Sequence, residues 1–407
     1  MDRWVLAVFV LVYLGMILGE FPGLALDRTG FALLGAIALL ASGRIRPAEA
    51  WQAVDVPTLA LLFGLMVVSA QLRLGGFYTR VTARLAAAEL PPDALLALLV
   101  LVAGLLSAAL ANDIVCLAMA PILIDGCARR GLDPLPFLLA LACAANVGSA
   151  ATLIGNPQNM LIGQVLGLSF AGYLLDAGVP ALLGLGVVWW VVRRSARGRW
   201  RREAAVGEAV AHGYDGWQTA KGLAVLVVLL ALFLGAPWPR DVLALTAAGV
   251  LLCSRKLASR EMLAQVDWHL LVLFVGLFVV NHAVASSGML DAALGAIERA
   301  GADLGRPAWL FAGTVVLSNL VSNVPAVMLL LPAAAHAPLG GAVLALASTL
   351  AGNLLLVGSI ANLIVVDQAA RRGVRIGWRE HARVGLPVTL LTLLIAAGWL
   401  WLRRAQT

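Results

Sequence analysis

Residues 94–127 read ALLALLVLVAGLLSAALANDIVCLAMAPILIDGC. The stretch is apolar almost throughout, yet its middle carries Ala111-Asn112-Asp113. Helical arms over 94–110 and 113–127 flank that break. Each is short beside the roughly 20 residues that a bilayer span needs at about 1.5 Å per residue. A solvated loop at the break would waste two short spans, so the lengths predict a re-entrant hairpin with its tip at mid-membrane. Irregular backbone at that depth survives only when buried in protein or lining a wet cavity.

The whole chain fits that setting. Of 407 residues, 61% are apolar and 13% charged, with a mean hydropathy of +0.93. Soluble domains run near 45–50% apolar and about 25% charged, so an all-α polytopic membrane protein is the class that fits. Cys116, Cys127, Cys143 and Cys253 lie in or beside apolar runs without metal-ligand spacing, which predicts neither disulfides nor a zinc site. The net charge of +7 comes from arginines between apolar runs, where it signals topology rather than nucleic-acid binding. The run Trp4–Leu18 is read as a retained span, not a signal peptide, because it belongs to the duplication described next.

Displaced by 212 residues, the early region lies on the later one. Asp55, Gly64, Leu65, Val67, Val68 and Gly76 fall on Asp267, Gly276, Leu277, Val279, Val280 and Gly288, and Arg28 and Glu49 fall on Arg240 and Glu261. A displacement of 211 pairs Ser107, Asn112 and Pro121 with Ser318, Asn323 and Pro332, and one of 203 pairs Gly155 and Asn159 with Gly358 and Asn362. The chain divides into a first repeat (1–195), a basic linker (196–216) and a second repeat (217–407). The first predicts helices near 4–21, 28–43 and 57–73, an amphipathic stretch near 77–88, the hairpin, a broken helix over 135–168 and a span over 171–193. The second repeats the series near 218–236, 241–254, 268–285, 289–301, 307–321, 324–338, 341–369 and 383–402.

Five crossings per repeat, an odd number, invert the second repeat relative to the first. That assignment places 21 of the 29 Lys and Arg residues on one face and 8 on the other. The positive-inside rule makes the first face cytoplasmic and puts both termini outside.

Four polar breaks interrupt the apolar runs: Ala111-Asn112-Asp113, Gly155-Asn156-Pro157-Gln158-Asn159, Ser322-Asn323-Val324-Pro325 and Gly358-Ser359-Ile360-Ala361-Asn362. Asn and Ser suit N-caps, proline suits the first helical turn, and Gly155 and Gly358 let the preceding backbone turn. Each break therefore begins a half-helix whose N-terminus offers free N–H donors and a partial positive charge. Converging, these ends form a cradle for a polar solute or anion, with opposed carbonyls for a small cation. Asn112, Asp113, Thr152, Asn156, Asn159, Ser322, Asn323, Ser359 and Asn362 are the candidate ion-binding residues, with Asn146 and Asn353 on the same broken helices. Asp113 is the carboxylate set deepest in an apolar run, and such a group is costly and usually functional. It is the candidate coupling group, carrying H⁺ or holding Na⁺ together with Asn112 and Asn323. No other metal and no cofactor is indicated. Asn281 and His282 break a further run and read as packing residues. No Arg or Lys lies near a break in sequence, which weighs toward a weakly charged oxyanion or toward cation exchange.

These residues resemble the ion transporter superfamily, which includes divalent anion/sodium symporters, citrate–metal symporters, arsenite permeases and a class of sodium/proton antiporters. Asn112 and Asn323 match the central residue of the symporters' Ser-Asn-Thr hairpin signature, and Ser322 matches the first. Ala111, Asp113 and Val324 depart from it, and the Ala-Asn-Asp form is nearer the arsenite-permease branch. Residues 148–159, GSAATLIGNPQN, are similar to the superfamily's broken-helix motif. The resemblance spans essentially the whole chain. It implies a transport part (about 94–169 and 307–369), a scaffold part that is often a dimer interface, and elevator-like alternating access coupled to Na⁺ or H⁺.

The reading is therefore a secondary active transporter of the inner membrane that moves a small inorganic or organic anion. The nearest alternative is a Na⁺/H⁺ antiporter. A polytopic membrane enzyme would need a nucleophile, base or metal cluster, and the sequence offers none. A channel is disfavoured by paired broken-helix repeats.

Overall fold

The computed structural model describes residues 2–19, 25–201 and 213–405. Linker residues 202–212, Arg202 included, lie outside the described residues. The described residues form helices and one isolated bridge between Leu132 and Arg201.

In the first half the helices are α1 (Arg3–Leu18), α2 (Arg28–Ala41), α3 (Pro47–Ala53), α4 (Val56–Leu74), α5 (Phe77–Ala87), α6 (Pro92–Ala109), α7 (Asn112–Arg129), α8 (Pro134–Ser149), α9 (Pro157–Val165) and α10 (Phe170–Ser195). The second half runs α11 (Gly216–Gly235), α12 (Arg240–Leu252), α13 (Ser259–Leu263), α14 (Trp268–Ser286), α15 (Met289–Arg299), α16 (Pro307–Val321), α17 (Asn323–His336), α18 (Gly340–Ala351), a 3₁₀ turn (Leu356–Gly358), α19 (Ile360–Ala370) and α20 (Trp378–Arg404). Local chemistry sets many starts. Asp27, Asp55, Asp215 and Asp267 accept backbone N–H bonds at the heads of α2, α4, α11 and α14, and prolines open α3, α6, α8, α9 and α16 where a missing N–H costs little.

Among the described residues, α4, α6, α10, α11, α14 and α20 are long and apolar enough to cross a bilayer. Exposed Trp4, Trp217, Trp268, Trp309, Trp378 and Trp401 stand at helix ends, where interfacial tryptophans anchor membrane helices. Arm length gives a correction. α6 and α7 are each 18 residues long, because Pro92 starts one arm early and Asn112 is already helical. The first pair is thus not too short to span, whereas α16 and α17 have 15 and 14 residues.

The register of the internal match reappears in space. α4 packs on α12 and α14 packs on α2. A Cβ added at Gly64 would lie 2.5 Å from the Ala244 carbonyl carbon, and one at Gly276 would lie 2.7 Å from that of Ala32. Gly64 and Gly276 are repeat partners, as are Ala32 and Ala244, so each half lends the same close contact to the other. Small residues let membrane helices approach in this way. α10 and α20 pack along each other and on α8 and α18, respectively. Asp176–Arg403 (3.0 Å) and Asp125–Arg372 (3.4 Å) tie the halves at their rims.

Candidate functional site

α8 ends at Ser149 and α9 begins at Pro157, and the backbone between them is held by amide side chains. The Asn156 Oδ1 accepts from the Asn159 N–H (2.9 Å), capping α9 as its position implies. Its Nδ2 donates to Ser149 Oγ (3.0 Å) and to Thr349 Oγ1 of α18 (3.2 Å). Asn159 Nδ2 donates to the Thr152 carbonyl (2.9 Å) and to the Tyr173 hydroxyl (3.1 Å), which in turn donates to the Ala150 carbonyl (2.8 Å). Thr152 Oγ1 donates to the Ala108 carbonyl of α6. The amide and hydroxyl hydrogens of Asn156, Asn159 and Thr152 are thus spent on holding the break together and tying it to α6, α10 and α18. Gly155 is required by close approach rather than by an unusual turn, since a Cβ there would lie 2.3 Å from the Ser149 carbonyl oxygen.

The second broken helix is built alike. Ser359 caps α19, accepting from the Ala361 N–H at 3.2 Å. Asn362 Nδ2 donates to the Gly352 carbonyl (2.9 Å). Between the two breaks sits Asn146, 2% exposed on α8. Its Oδ1 accepts from Asn112 Nδ2 (3.1 Å) and Ser359 Oγ (2.8 Å), and its Nδ2 donates to Asn353 Oδ1 (2.8 Å) and Asn362 Oδ1 (3.2 Å). One carboxamide therefore joins the first hairpin to both broken helices.

The hairpin tips differ from the broken helices. Asn and Ser do not cap them: α7 and α17 start without a side-chain cap. The Asn112 N–H instead donates to the Gly155 carbonyl (3.2 Å). Ser322 adopts φ 76°, ψ 162°, a region that essentially only glycine visits, at a cost on the order of 1–3 kcal/mol. Such strain clusters at functional turns. Close to these tips several buried oxygens have no hydrogen-bond partner among the described residues: Asn112 Oδ1 and Ser107 Oγ in the first half, and Asn323 Oδ1, Ser318 Oγ and Asn319 Oδ1 in the second. Asn112 matches Asn323 and Ser107 matches Ser318, so the orphan oxygens recur in both repeats. Few buried polar groups go unpaired in native proteins, and unspent oxygens suit a small hard cation. Sequence reasoning aligned Ser107 with Ser318 without selecting them; an isolated serine in an apolar run carries little signal alone. Thr349, Gln158 and Tyr173 were also missed. Gln158 Nε2 donates to Thr349 Oγ1 at 3.2 Å, inside the motif that sequence had marked.

Asp113 is not part of this amide network. It is partly buried and lines a cavity of about 200 Å³ between the first tip, α9, α4 and the head of α14. Leu65, Met66, Met160 and Leu270 supply apolar wall, and Arg73, Gln265 and Asp267 supply polar groups. The absence of any Arg near a break is therefore a feature of the sequence alone: α4 carries Arg73 to the wall of the cavity that Asp113 also lines. Asn281 does pack, accepting from Tyr13 Oη at 2.9 Å.

Comparison with known proteins accounts for this architecture. The family model described as citrate transporter matches residues 4–351. An uncharacterized transporter of Mycobacterium tuberculosis is 32% identical over 406 residues, covering 93% of this chain and 94% of the relative. The silicon efflux transporter LSI3 of Oryza sativa is 31% identical over 477 residues, 96% of this chain and 94% of its own. The inner membrane protein YbiR of Escherichia coli is 30% identical over 366 residues, 85% of this chain and 88% of its own. In fold, the crystal structure of the Alcanivorax borkumensis YdaH transporter covers 98% of this chain and 96% of its own, with a TM-score of 0.57 at 15% identity. The chain belongs to the citrate transporter family of the ion transporter superfamily, and is a secondary transporter of the membrane rather than an enzyme.

Proposed function

We propose that this transporter moves a small anion or oxyanion coupled to H⁺ or Na⁺, by elevator-like alternating access. The transport part comprises the hairpins α6–α7 and α16–α17 and the broken helices α8–α9 and α18–α19. The scaffold is the remainder and carries the surface for a homodimer. The two repeats have opposite orientations in an inner membrane, and both termini lie outside.

The observation that carries this reading is the recurrence of unpartnered buried oxygens at Ser107 and Asn112 and again at Ser318 and Asn323. Two such sets provide ligands for a coupling cation, and Asn146 joins the first of them to both broken helices. The half-helix N-termini at Ser359 and Asn156 provide donors for the anion. Asp113 carries the coupling charge from its own cavity. That cavity also supports a second reading, Na⁺/H⁺ exchange, because Asp113 shares it with Asp267.

Reconstitution in proteoliposomes separates the two. A panel of citrate, silicate, arsenite and Na⁺ is tested with and without imposed pH and Na⁺ gradients. The proposal predicts gradient-driven accumulation of one of the oxyanions or oxyacids. Gradient-driven Na⁺ movement with no movement of any other solute assigns exchange instead.

A further inference from the structure

The cavity beside Asp113 has a charge pattern that the repeat does not share. Four of its lining side chains are polar: Asp113, Arg73, Gln265 and Asp267. Asp267 commits one oxygen to the head of α14, accepting from the Leu270 N–H at 3.0 Å. Arg73 stands exposed in the last turn of α4, and no ion pair or side-chain hydrogen bond joins it to another described residue. Under the internal match, Arg73, Gln265 and Asp113 correspond to Ala285, Ala53 and Val324, and only Asp267 keeps a polar counterpart, Asp55. The apolar wall is conserved between the repeats in kind, Leu65 by Leu277 and Met66 by Phe278. Arg73, Gln265 and Asp113 are therefore particular to the first hairpin, while the aspartate at the helix head recurs.

Two carboxylates in a space of about 200 Å³ would by themselves repel an anion. A guanidinium in the same wall brings the opposite charge to the cavity and offers a planar fork of donors matched to an oxyanion. We infer that Arg73 is the specificity-determining residue of this cavity: it sets the local potential that admits an anionic solute beside Asp113. The inference rests on the transport reading above and names the group that selects the sign of the solute.

The test reads the potential directly and needs no identified substrate. Exposed Cys253 is replaced by serine, and a cysteine is placed at Ile114, which lines the cavity. Modification rates by an anionic and a cationic methanethiosulfonate reagent are then compared on the full-length protein in proteoliposomes. Arg73→Gln lowers the anionic-to-cationic rate ratio on the order of tenfold, because the lost charge acts with opposite sign on the two probes. Arg73→Lys restores the ratio. Arg80→Gln leaves it unchanged, since Arg80 lies over the Tyr214 ring outside the cavity. A ratio that Arg73→Gln does not move, or that Arg80→Gln moves equally, overturns the inference. If the ratio falls as expected while no solute of the panel is transported, the charge assignment stands and the transport reading fails.

Discussion

Replacing Asn146 by alanine removes four hydrogen bonds at one stroke, those to Asn112, Ser359, Asn353 and Asn362, at 2.8–3.2 Å. Interhelical hydrogen bonds in membrane proteins average about 0.6 kcal/mol each, so four contribute about 2.4 kcal/mol. Counted instead as orphaned buried groups at about 1–3 kcal/mol apiece, the loss reaches about 4–12 kcal/mol. The vacated side chain leaves room for water to satisfy some of these groups, so the lower scale governs and a loss of about 2–4 kcal/mol is expected. Asn146→Asp keeps the acceptor but turns an oxygen toward Asn353 and Asn362, and is expected to be worse than alanine at neutral pH and to recover partly in acid, where a protonated carboxyl donates again. Unfolding of the detergent-solubilised protein, followed by intrinsic tryptophan fluorescence, gives the stability difference, and hydrogen exchange across α8, α9 and α19 localises it. An alanine variant within about 0.5 kcal/mol of the parent, with unchanged exchange, would refute the view that this carboxamide holds the broken helices together.

Three further substitutions probe the backbone. Gly155→Ala places a methyl 2.3 Å from the Ser149 carbonyl oxygen and should cost several kcal/mol, whereas Gly186→Ala on α10, with nothing within 4 Å, should stabilise by up to about 1 kcal/mol through helix propensity; thermal denaturation ranks the pair. Ser322→Gly relieves the φ 76° conformation and should raise stability by about 1 kcal/mol after the entropy of the added glycine is subtracted, again read from the unfolding midpoint.

Much of the helical fold was legible because long apolar runs, N-terminal aspartates and prolines mark membrane helices locally. The internal match includes Gly64 and Gly276 because both sit where helices touch, so packing constrains what can stand there. α3 and α13, seven and five residues long, were missed because so short a helix completes too few turns to show a period. The breaks at Asn156 and Ser359 read correctly, since a cap acts within three residues of itself. The tips did not, because Asn112 is held by the Gly155 carbonyl from another helix, a contact that no local pattern encodes. Arg73 and Asp267 were invisible for the same reason: both lie at helix ends in sequence, and only the packing of α4 and α14 around the first tip brings them to Asp113.

In the proposed function, Asp113 couples ion movement to the solute. Its most direct test is accumulation of the transported solute by proteoliposomes containing Asp113→Asn, under an imposed pH or Na⁺ gradient. If Asp113 carries the coupling charge, solute still equilibrates down its own gradient but is no longer concentrated. Concentration to the level of the parent protein would contradict it.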